Sequence, residues 1–131
     1  MSLYLLDTTV LIDHLRGVSA VSERLLGLLA DGHSLGTSCV NVAEVERGAR
    51  DRERKAAKQL IDRLRYLETT REAAVRAGRY QTEFQQRGRT LQTEDALVAG
   101  TARAHGAILL TNDIRDFDLP DIRVEAPAPP T

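Results

Sequence analysis

The chain has 131 residues, of which 42% are hydrophobic and 28% are charged, and its formal net charge is −1. This length is typical of one domain. A domain of this size buries about 68% of its unfolded surface and so forms a hydrophobic core without disulfide bonds or structural metals. A single cysteine excludes an internal disulfide and a cysteine-rich zinc site. Because no apolar stretch reaches the roughly 18 residues of a membrane span and the N-terminus lacks a basic secretory region, we expect a cytoplasmic protein.

The charges are distributed unevenly. Residues 47–65 hold eight basic and three acidic side chains, a local balance of +5. Arginine, which dominates this segment, forms bidentate contacts with phosphate groups. A solvated helix face is the default interpretation of such a segment, and a phosphate-rich partner such as RNA is the alternative.

The first half of the chain alternates short apolar runs with helical periodicity. In chain order we predict a strand at 3–6, helices at 9–16 and 19–30, a strand at 34–40, and then a helix with Glu44 in its first turn. A short, nearly continuous apolar run is typical of a strand that is covered on both faces.

The second half continues this pattern. We predict a helix from about residue 52 with an apolar stripe that reaches Leu67, a weaker strand at 65–69, a helix from the capping box Thr69–Glu72 to Gly88, a helix at 93–105, and strands at 107–111 and 122–125. The helix after the capping box has an apolar stripe formed by Ala73, Ala77, Tyr80 and Phe84.

Strands that alternate with one or two helices indicate crossover connections and a parallel sheet. The predicted fold class is therefore α/β, a three-layer α/β/α sandwich with a central parallel sheet of about five strands. We expect one domain over residues 1–126 and a proline-rich, poorly ordered tail at 127–131.

Four acidic residues fall where an open parallel sheet binds its ligands, beyond the carboxyl ends of the strands. Asp7 directly follows the first predicted strand, and Asp113 follows a late one. Glu44 and Asp95 lie near the starts of two helices. These positions predict that the four carboxylates meet on one rim of the sheet.

Each acid also has a structural explanation when it is considered alone. Asp7 fits the cap of the first helix, and the spacing Asn41-x-x-Glu44 fits a capping box. Asp95 complements a helix dipole, and the pair 112–113 is typical of a turn.

As a set, the acids favour a metal site. Clustered carboxylates raise one another's pKa and repel unless a cation neutralises them. Hard oxygen ligands without histidine or cysteine select Mg²⁺ or Mn²⁺ over zinc. Such ions activate water and stabilise the leaving oxygen in phosphodiester hydrolysis.

Four sequence blocks resemble, in order and in separation, those of the PIN domain. The blocks are Leu5-Leu-Asp-Thr-Thr-Val-Leu-Ile-Asp13, Ser38-Cys-Val-Asn-Val-Ala-Glu-Val-Glu-Arg-Gly-Ala49, Glu94-Asp-Ala-Leu-Val-Ala-Gly-Thr-Ala102 and Leu109-Leu-Thr-Asn-Asp-Ile-Arg-Asp-Phe117. Within that superfamily the chain most resembles the VapC-type toxins of type II toxin–antitoxin modules, including the FitB-like group. The resemblance runs from residue 3 to about residue 125.

This resemblance implies a metal-dependent endoribonuclease, with Mg²⁺ or Mn²⁺ as cofactor, that leaves 5′-phosphate and 3′-hydroxyl ends. Asp7, Glu44 and Asp95 match the first three acidic positions of the family. The fourth position corresponds to Asp113 or to Asp116, and Asp113 is preferred as a direct ligand because it is closer to the end of the strand.

The resemblance also implies further contacts and partners. Thr8 and Thr111 match hydroxyl positions near the family's site, where they hold a carboxylate or the scissile phosphate of the substrate; turn or cap formation is an equal alternative for both. The implied partners are an RNA substrate, a small antitoxin that covers the active site, and a second copy of the chain in a homodimer.

Other functions fit less well. A haloacid-dehalogenase-type phosphatase needs an acid at Thr9 and a late lysine, but Lys58 is the last lysine in the chain. A receiver domain fails for the same lack of a late lysine, and no glycine-rich nucleotide loop occurs. A non-catalytic partner-binding domain with this fold remains the alternative, although an intact set of acids argues against it.

Overall fold

The structure, a computed structural model, describes residues 1–127, so the predicted tail lies outside the described residues except for Pro127. The strands in this part of the chain are β1 Leu3–Leu6, β2 Ser34–Ser38, β3 Arg65–Leu67, β4 Ile108–Leu110 and β5 Val124–Glu125. The α-helices are α1 Thr8–Leu15, α2 Ser19–Ala30, α3 Cys39–Gly48, α4 Arg54–Arg63, α5 Arg71–Gln86 and α6 Thr93–His105. Short 3-10 helices occupy Asp51–Glu53 and Ile114–Phe117.

The strands form one parallel sheet in the order β3-β2-β1-β4-β5. Strand β1 lies at its centre, where Leu5 pairs with Gly36 of β2 and with Leu109 of β4. The predicted fold class is confirmed. Because β1 is central, the residue that follows it emerges in the middle of the carboxyl edge.

Helices cover both faces of the sheet. Successive side chains of a strand point to opposite faces, so Leu5 belongs to the core under α5 and α6, whereas Leu6 belongs to the core under the first four helices. The predicted apolar stripe of α5 is confirmed, since its four members are buried. Within residues 1–127, no helix is long and apolar enough to cross a membrane.

Two glycines determine how helix α6 is placed: Gly106 at its C-terminus and Gly100 at its contact with α5. Gly106 ends the helix in the left-handed conformation, with φ +63°, and turns the chain into β4. Gly100 faces α5 so closely that a Cβ there would collide with the backbone carbonyl of Ala73. The α5–α6 contact therefore depends on the missing side chain.

The predicted strand at 34–40 is too long. Strand β2 ends at Ser38, which is extended at φ −129° and ψ 171°, and α3 begins at Cys39. The apolar residues Cys39 and Val40 suit a strand as well as the start of a helix, so composition did not separate the two.

The predicted helical stripe to Leu67 is wrong at its end. Helix α4 stops at Arg63, Leu64 is extended, and Leu67 lies in β3, where it pairs with Ser38. The weaker strand prediction at 65–69 is correct in place, although the strand is shorter. The apolar residues recur here at every third or fourth position, as in a helix. The last of them, Leu67, nevertheless belongs to the edge strand β3.

Helix starts also shift by one residue. Helix α1 begins at Thr8 rather than at the predicted residue 9. Thr70, rather than Thr69, caps α5 by accepting a hydrogen bond from the Ala73 N–H at 3.1 Å, while the Thr69 hydroxyl pairs with Thr101. Adjacent threonines offer two equivalent caps, and the contact with α6 selects between them.

Candidate active site

The carboxyl edges of β2, β1 and β4 form the rim on which the predicted acids lie. These strands are neighbours in the sheet. Asp7 follows β1, Thr111 follows β4, and α3, which carries Glu44, follows β2. The order of the strands therefore brings together side chains that are far apart in the sequence.

Asp7 is only 6% exposed and has two fixed oxygens. Its Oδ1 accepts a hydrogen bond from the Thr8 N–H at 2.9 Å, and its Oδ2 accepts one from the Thr111 hydroxyl at 2.7 Å. Burial raises the pKa of Asp7, the two donors counteract this, and the charges of Glu44 and Asp113 raise the pKa further. Asp7 thus caps α1, as one interpretation expected, and also faces the other acids.

Glu44 does not take part in the expected capping box. The cap residue of α3 is Ser38, so Asn41 lies inside the helix and Glu44 lies in its second turn rather than its first. Its Oε1 accepts a hydrogen bond from the Thr8 hydroxyl at 2.7 Å. Arg47, one turn further along, is 3.8 Å from the other carboxylate oxygen.

Asp95 lies in the first turn of α6. Burial raises its pKa to about 6, and the charges of Asp7, Glu44, Asp116 and Glu94 contribute in that order. A helix N-terminus alone favours the ionised form. The opposite shift indicates that desolvation and neighbouring carboxylates outweigh the helix dipole.

Asp113 and Asp116 act on different acids of the rim. The Asp113 N–H donates to the Thr111 hydroxyl at 3.0 Å, and the Asp113 charge raises the pKa of Asp7. Asp116, in the short helix after β4, raises the pKa of Asp95 instead. Each candidate for the fourth acid therefore lies near enough to one acid of the rim to raise its pKa.

The donor chemistry fits a hard divalent cation. The facing groups are carboxylates, and mutual repulsion contributes to the raised pKa of Asp7 and of Asp95. Within residues 1–127, however, no three or more His, Cys, Asp or Glu side chains are arranged to hold a metal ion. A bound cation would relieve the repulsion and would require these side chains to close around it.

Two buried polar residues of the site were missed by sequence reasoning. The Ser38 hydroxyl donates to Asn41 Oδ1 at 2.6 Å, and the Asn41 Nδ2 donates to the Thr8 hydroxyl at 3.1 Å. Both residues are fully buried. The available signal was an asparagine three residues before a candidate acid, which also fits a helix cap.

The basic segment 47–65 runs from the end of α3 through α4 to the start of β3, and its first residue, Arg47, contacts Glu44 of the rim. Several of its charges are paired locally: Arg54 with Glu46 and Asp51, and Lys58 with Asp62. These ion pairs favour a solvated helix face, and an RNA contact by this segment stays a prediction.

Comparison with known proteins supports the assignment of the fold. The family model of the PIN domain matches residues 4–122. Ribonuclease VapC19 of Mycobacterium tuberculosis is 31% identical over 120 residues, covering 91% of this chain and 96% of the relative. Ribonuclease VapC10 of the same species is 33% identical over 115 residues, covering 88% and 86% respectively.

A solved structure agrees with these relatives. The crystal structure of DNA-bound VapBC from Salmonella typhimurium has a chain that superposes with a TM-score of 0.84 at 25% identity. The alignment covers 98% of this chain and 100% of that one. Together with the family model over nearly the whole domain, these matches show that the chain belongs to the PIN-domain family, among its VapC-type members.

Proposed function

We propose that the chain is an endoribonuclease toxin that hydrolyses RNA phosphodiester bonds with Mg²⁺ or Mn²⁺. The observation that carries the proposal is the rim of facing carboxylates, in which the pKa of Asp95 is raised to about 6 by burial and by neighbouring acids. Its VapC relatives are named as ribonucleases. Perturbed acids in this position are typical of a functional site rather than of a solvated surface.

Asp7, Glu44, Asp95 and Asp113 would hold the cation, with Asp116 as the alternate fourth ligand. When bound, a divalent ion activates water and neutralises charge on the leaving oxygen. The chain itself positions the carboxylates. Thr111 orients Asp7 through its hydroxyl.

Thr8 orients Glu44 in the same way. Each of the two threonines donates its hydroxyl proton to a carboxylate. Of the two expected roles, holding a carboxylate is therefore better supported than holding the scissile phosphate.

The proposed partners are RNA, a cognate antitoxin and a second copy of the chain. The Salmonella relative is a VapBC complex, which supports a cognate antitoxin for this chain. In this proposal the antitoxin covers the carboxylate rim. The module would act in the cytoplasm, where its RNA substrates are made.

The test is RNA cleavage by the purified protein with Mg²⁺, with Mn²⁺ and with EDTA, beside the Asp95→Asn variant. We expect cleavage with either ion and none with EDTA or in the variant. Undiminished cleavage in EDTA would contradict the metal requirement, and full activity of Asp95→Asn would remove Asp95 from the site.

The alternative is a partner-binding domain without catalysis. One observation favours it: in the described residues the carboxylates are not gathered into a ligand group. Expression in a bacterial host separates the two functions. A ribonuclease arrests growth, and Asp95→Asn relieves the arrest; an arrest that persists in the variant supports binding alone.

A further inference from the structure

A directional chain of hydrogen bonds ends on Glu44. Ser38 Oγ donates to Asn41 Oδ1 at 2.6 Å, Asn41 Nδ2 donates to Thr8 Oγ1 at 3.1 Å, and Thr8 Oγ1 donates to Glu44 Oε1 at 2.7 Å. The chain connects the end of β2, the first turn of α3 and the start of α1. Three separate elements thus act on one carboxylate.

The direction of the chain follows from what each group can donate. A carboxylate only accepts, so the single proton of the Thr8 hydroxyl is given to Glu44. Thr8 must then accept from its other neighbour, which requires a donor at Asn41. An amide meets this requirement because it donates through nitrogen to Thr8 and accepts through oxygen from Ser38.

Burial makes this arrangement rigid. Ser38 and Asn41 have no exposed surface, and a buried polar group is costly unless it is hydrogen-bonded. Reversing any bond in the chain would leave at least one of these groups unsatisfied in a region of low dielectric.

Glu44 needs such a restraint. Within residues 1–127, the hydrogen bond from Thr8 is the only one that its carboxylate receives. The ion pair with Arg47 is long, at 3.8 Å, and the Arg47 side chain is 80% exposed, so it holds Glu44 weakly.

We infer that Asn41 is a positioning residue, which holds the Thr8 hydroxyl so that its proton fixes the Glu44 carboxylate on the rim. The inference rests on the proposed function, because the purpose of the fixed carboxylate is to bind the divalent cation. Groups that orient a metal ligand typically change metal affinity by about 10- to 100-fold when they are removed.

The test is a double-mutant cycle read by Mn²⁺ affinity, with unbound Mn²⁺ measured by electron paramagnetic resonance. Asn41→Leu has nearly the same size and removes both hydrogen bonds; we expect it to raise the Kd for Mn²⁺ about 10-fold. In a Thr8→Val background, the same substitution should change the Kd by less than about twofold, since its effect passes through Thr8.

Thr37→Val is the matched control. The Thr37 hydroxyl is buried one residue before Ser38 and has no hydrogen-bond partner in the described part of the chain. Its removal leaves no other group unpaired, so the Kd should match that of the wild type. This control separates positioning from a general response to substitution in this layer of the core.

Two results would overturn the inference: a wild-type Kd in Asn41→Leu, or an equal 10-fold rise in both backgrounds. If Asn41→Leu does not fold, Ser38→Ala serves as the second variant, because it removes the hydrogen bond that prevents the Asn41 amide from turning. A wild-type Kd for Mn²⁺ in Ser38→Ala would equally overturn the inference. RNA cleavage by the wild type is measured in parallel. A wild type that binds Mn²⁺ without cleaving RNA would contradict the proposed function and leave the positioning role standing.

Discussion

The Thr111 hydroxyl donates to Asp7 Oδ2 at 2.7 Å and so joins the end of β4 to the end of β1 across 104 residues of sequence. Both residues are buried. Thr111 also accepts a hydrogen bond from the Asp113 N–H. One hydroxyl therefore fixes both the most buried acid of the rim and the start of the loop that carries the two candidates for the fourth acid.

Thr111→Val should move the acid limb of the activity profile to higher pH. The lost hydrogen bond is one of the contacts that lower the pKa of Asp7, so the variant needs a higher pH to ionise that carboxylate. At neutral pH we expect about a 10-fold loss of RNA cleavage. The measurement is kcat/KM for a model RNA from pH 5 to pH 9, and an acid limb at the wild-type position would contradict this role.

Asp95→Asn should stabilise the metal-free protein at neutral pH while abolishing cleavage. Because the pKa of Asp95 is raised to about 6 from 3.8, the folded state binds more protons than the unfolded state between these values, and stability falls as the pH rises through them. The Asp95→Asn variant cannot ionise at this position, so it does not lose this stability as the pH rises. In EDTA at pH 7.5 its Tm should exceed that of the wild type by on the order of 3 °C.

At pH 4 the same two proteins should have nearly equal Tm values, because Asp95 is then protonated in the folded state and the loss of stability, which builds up between pH 3.8 and pH 6, has hardly begun. Thermal unfolding at the two pH values therefore provides its own control. A gain in Tm that is equal at both would trace to packing rather than to charge.

Mn²⁺ should stabilise the wild type against heat. A ligand that binds only the folded state adds about 2.7 kcal/mol at a free concentration of one hundred times its Kd. Asp7→Asn should lose this shift, whereas Asp62→Asn, which removes an exposed acid paired with Lys58 away from the rim, should keep it. An equal shift in both variants would indicate non-specific binding to surface acids.

The two candidates for the fourth acid should differ in metal affinity. Asp113 is the preferred direct ligand because it follows β4 more closely and its charge raises the pKa of the buried Asp7. Asp113→Asn should therefore raise the Kd for Mn²⁺ about 10-fold, and Asp116→Asn should raise it by less. Isothermal titration calorimetry of both variants decides the order. The reverse order would assign direct coordination to Asp116.

Gly100→Ala should destabilise the fold by about 2–3 kcal/mol, since its methyl group would collide with the Ala73 carbonyl and push α5 from α6. Gly78→Ala is the matched control. Gly78 lies on the exposed side of α5 with nothing within 4 Å of the added Cβ, so alanine there should stabilise by about 0.5–1 kcal/mol. Urea unfolding measures both, and a neutral Gly100→Ala would contradict the close helix contact.

Much of the fold could be predicted because its signals are local. The apolar run at 3–6 predicted a buried strand. Because Asp7 directly follows this run, its position at the carboxyl edge of a parallel sheet could be predicted as well. The apolar stripe of α5 was equally clear. In these cases the residues that determine the structure are close together in the sequence.

Features that depend on distant contacts were missed. Leu67 continues a helical stripe in the sequence, but in the structure it lies in β3 and pairs with Ser38 of β2. Asn41 and Glu44 have the spacing of a cap, yet Thr8, 36 residues before Glu44, takes the carboxylate. No periodicity encodes such a partner, because a hydrogen bond between α1 and α3 forms only once the sheet has brought the two helices together.

Anomalous diffraction from a crystal grown with Mn²⁺ tests the account most directly. The account predicts one or two peaks on the rim, with carboxylate oxygens of Asp7, Glu44 and Asp95 drawn in to about 2.1 Å from the metal. A crystal at saturating Mn²⁺ without a peak there, its three carboxylates still apart, would contradict it.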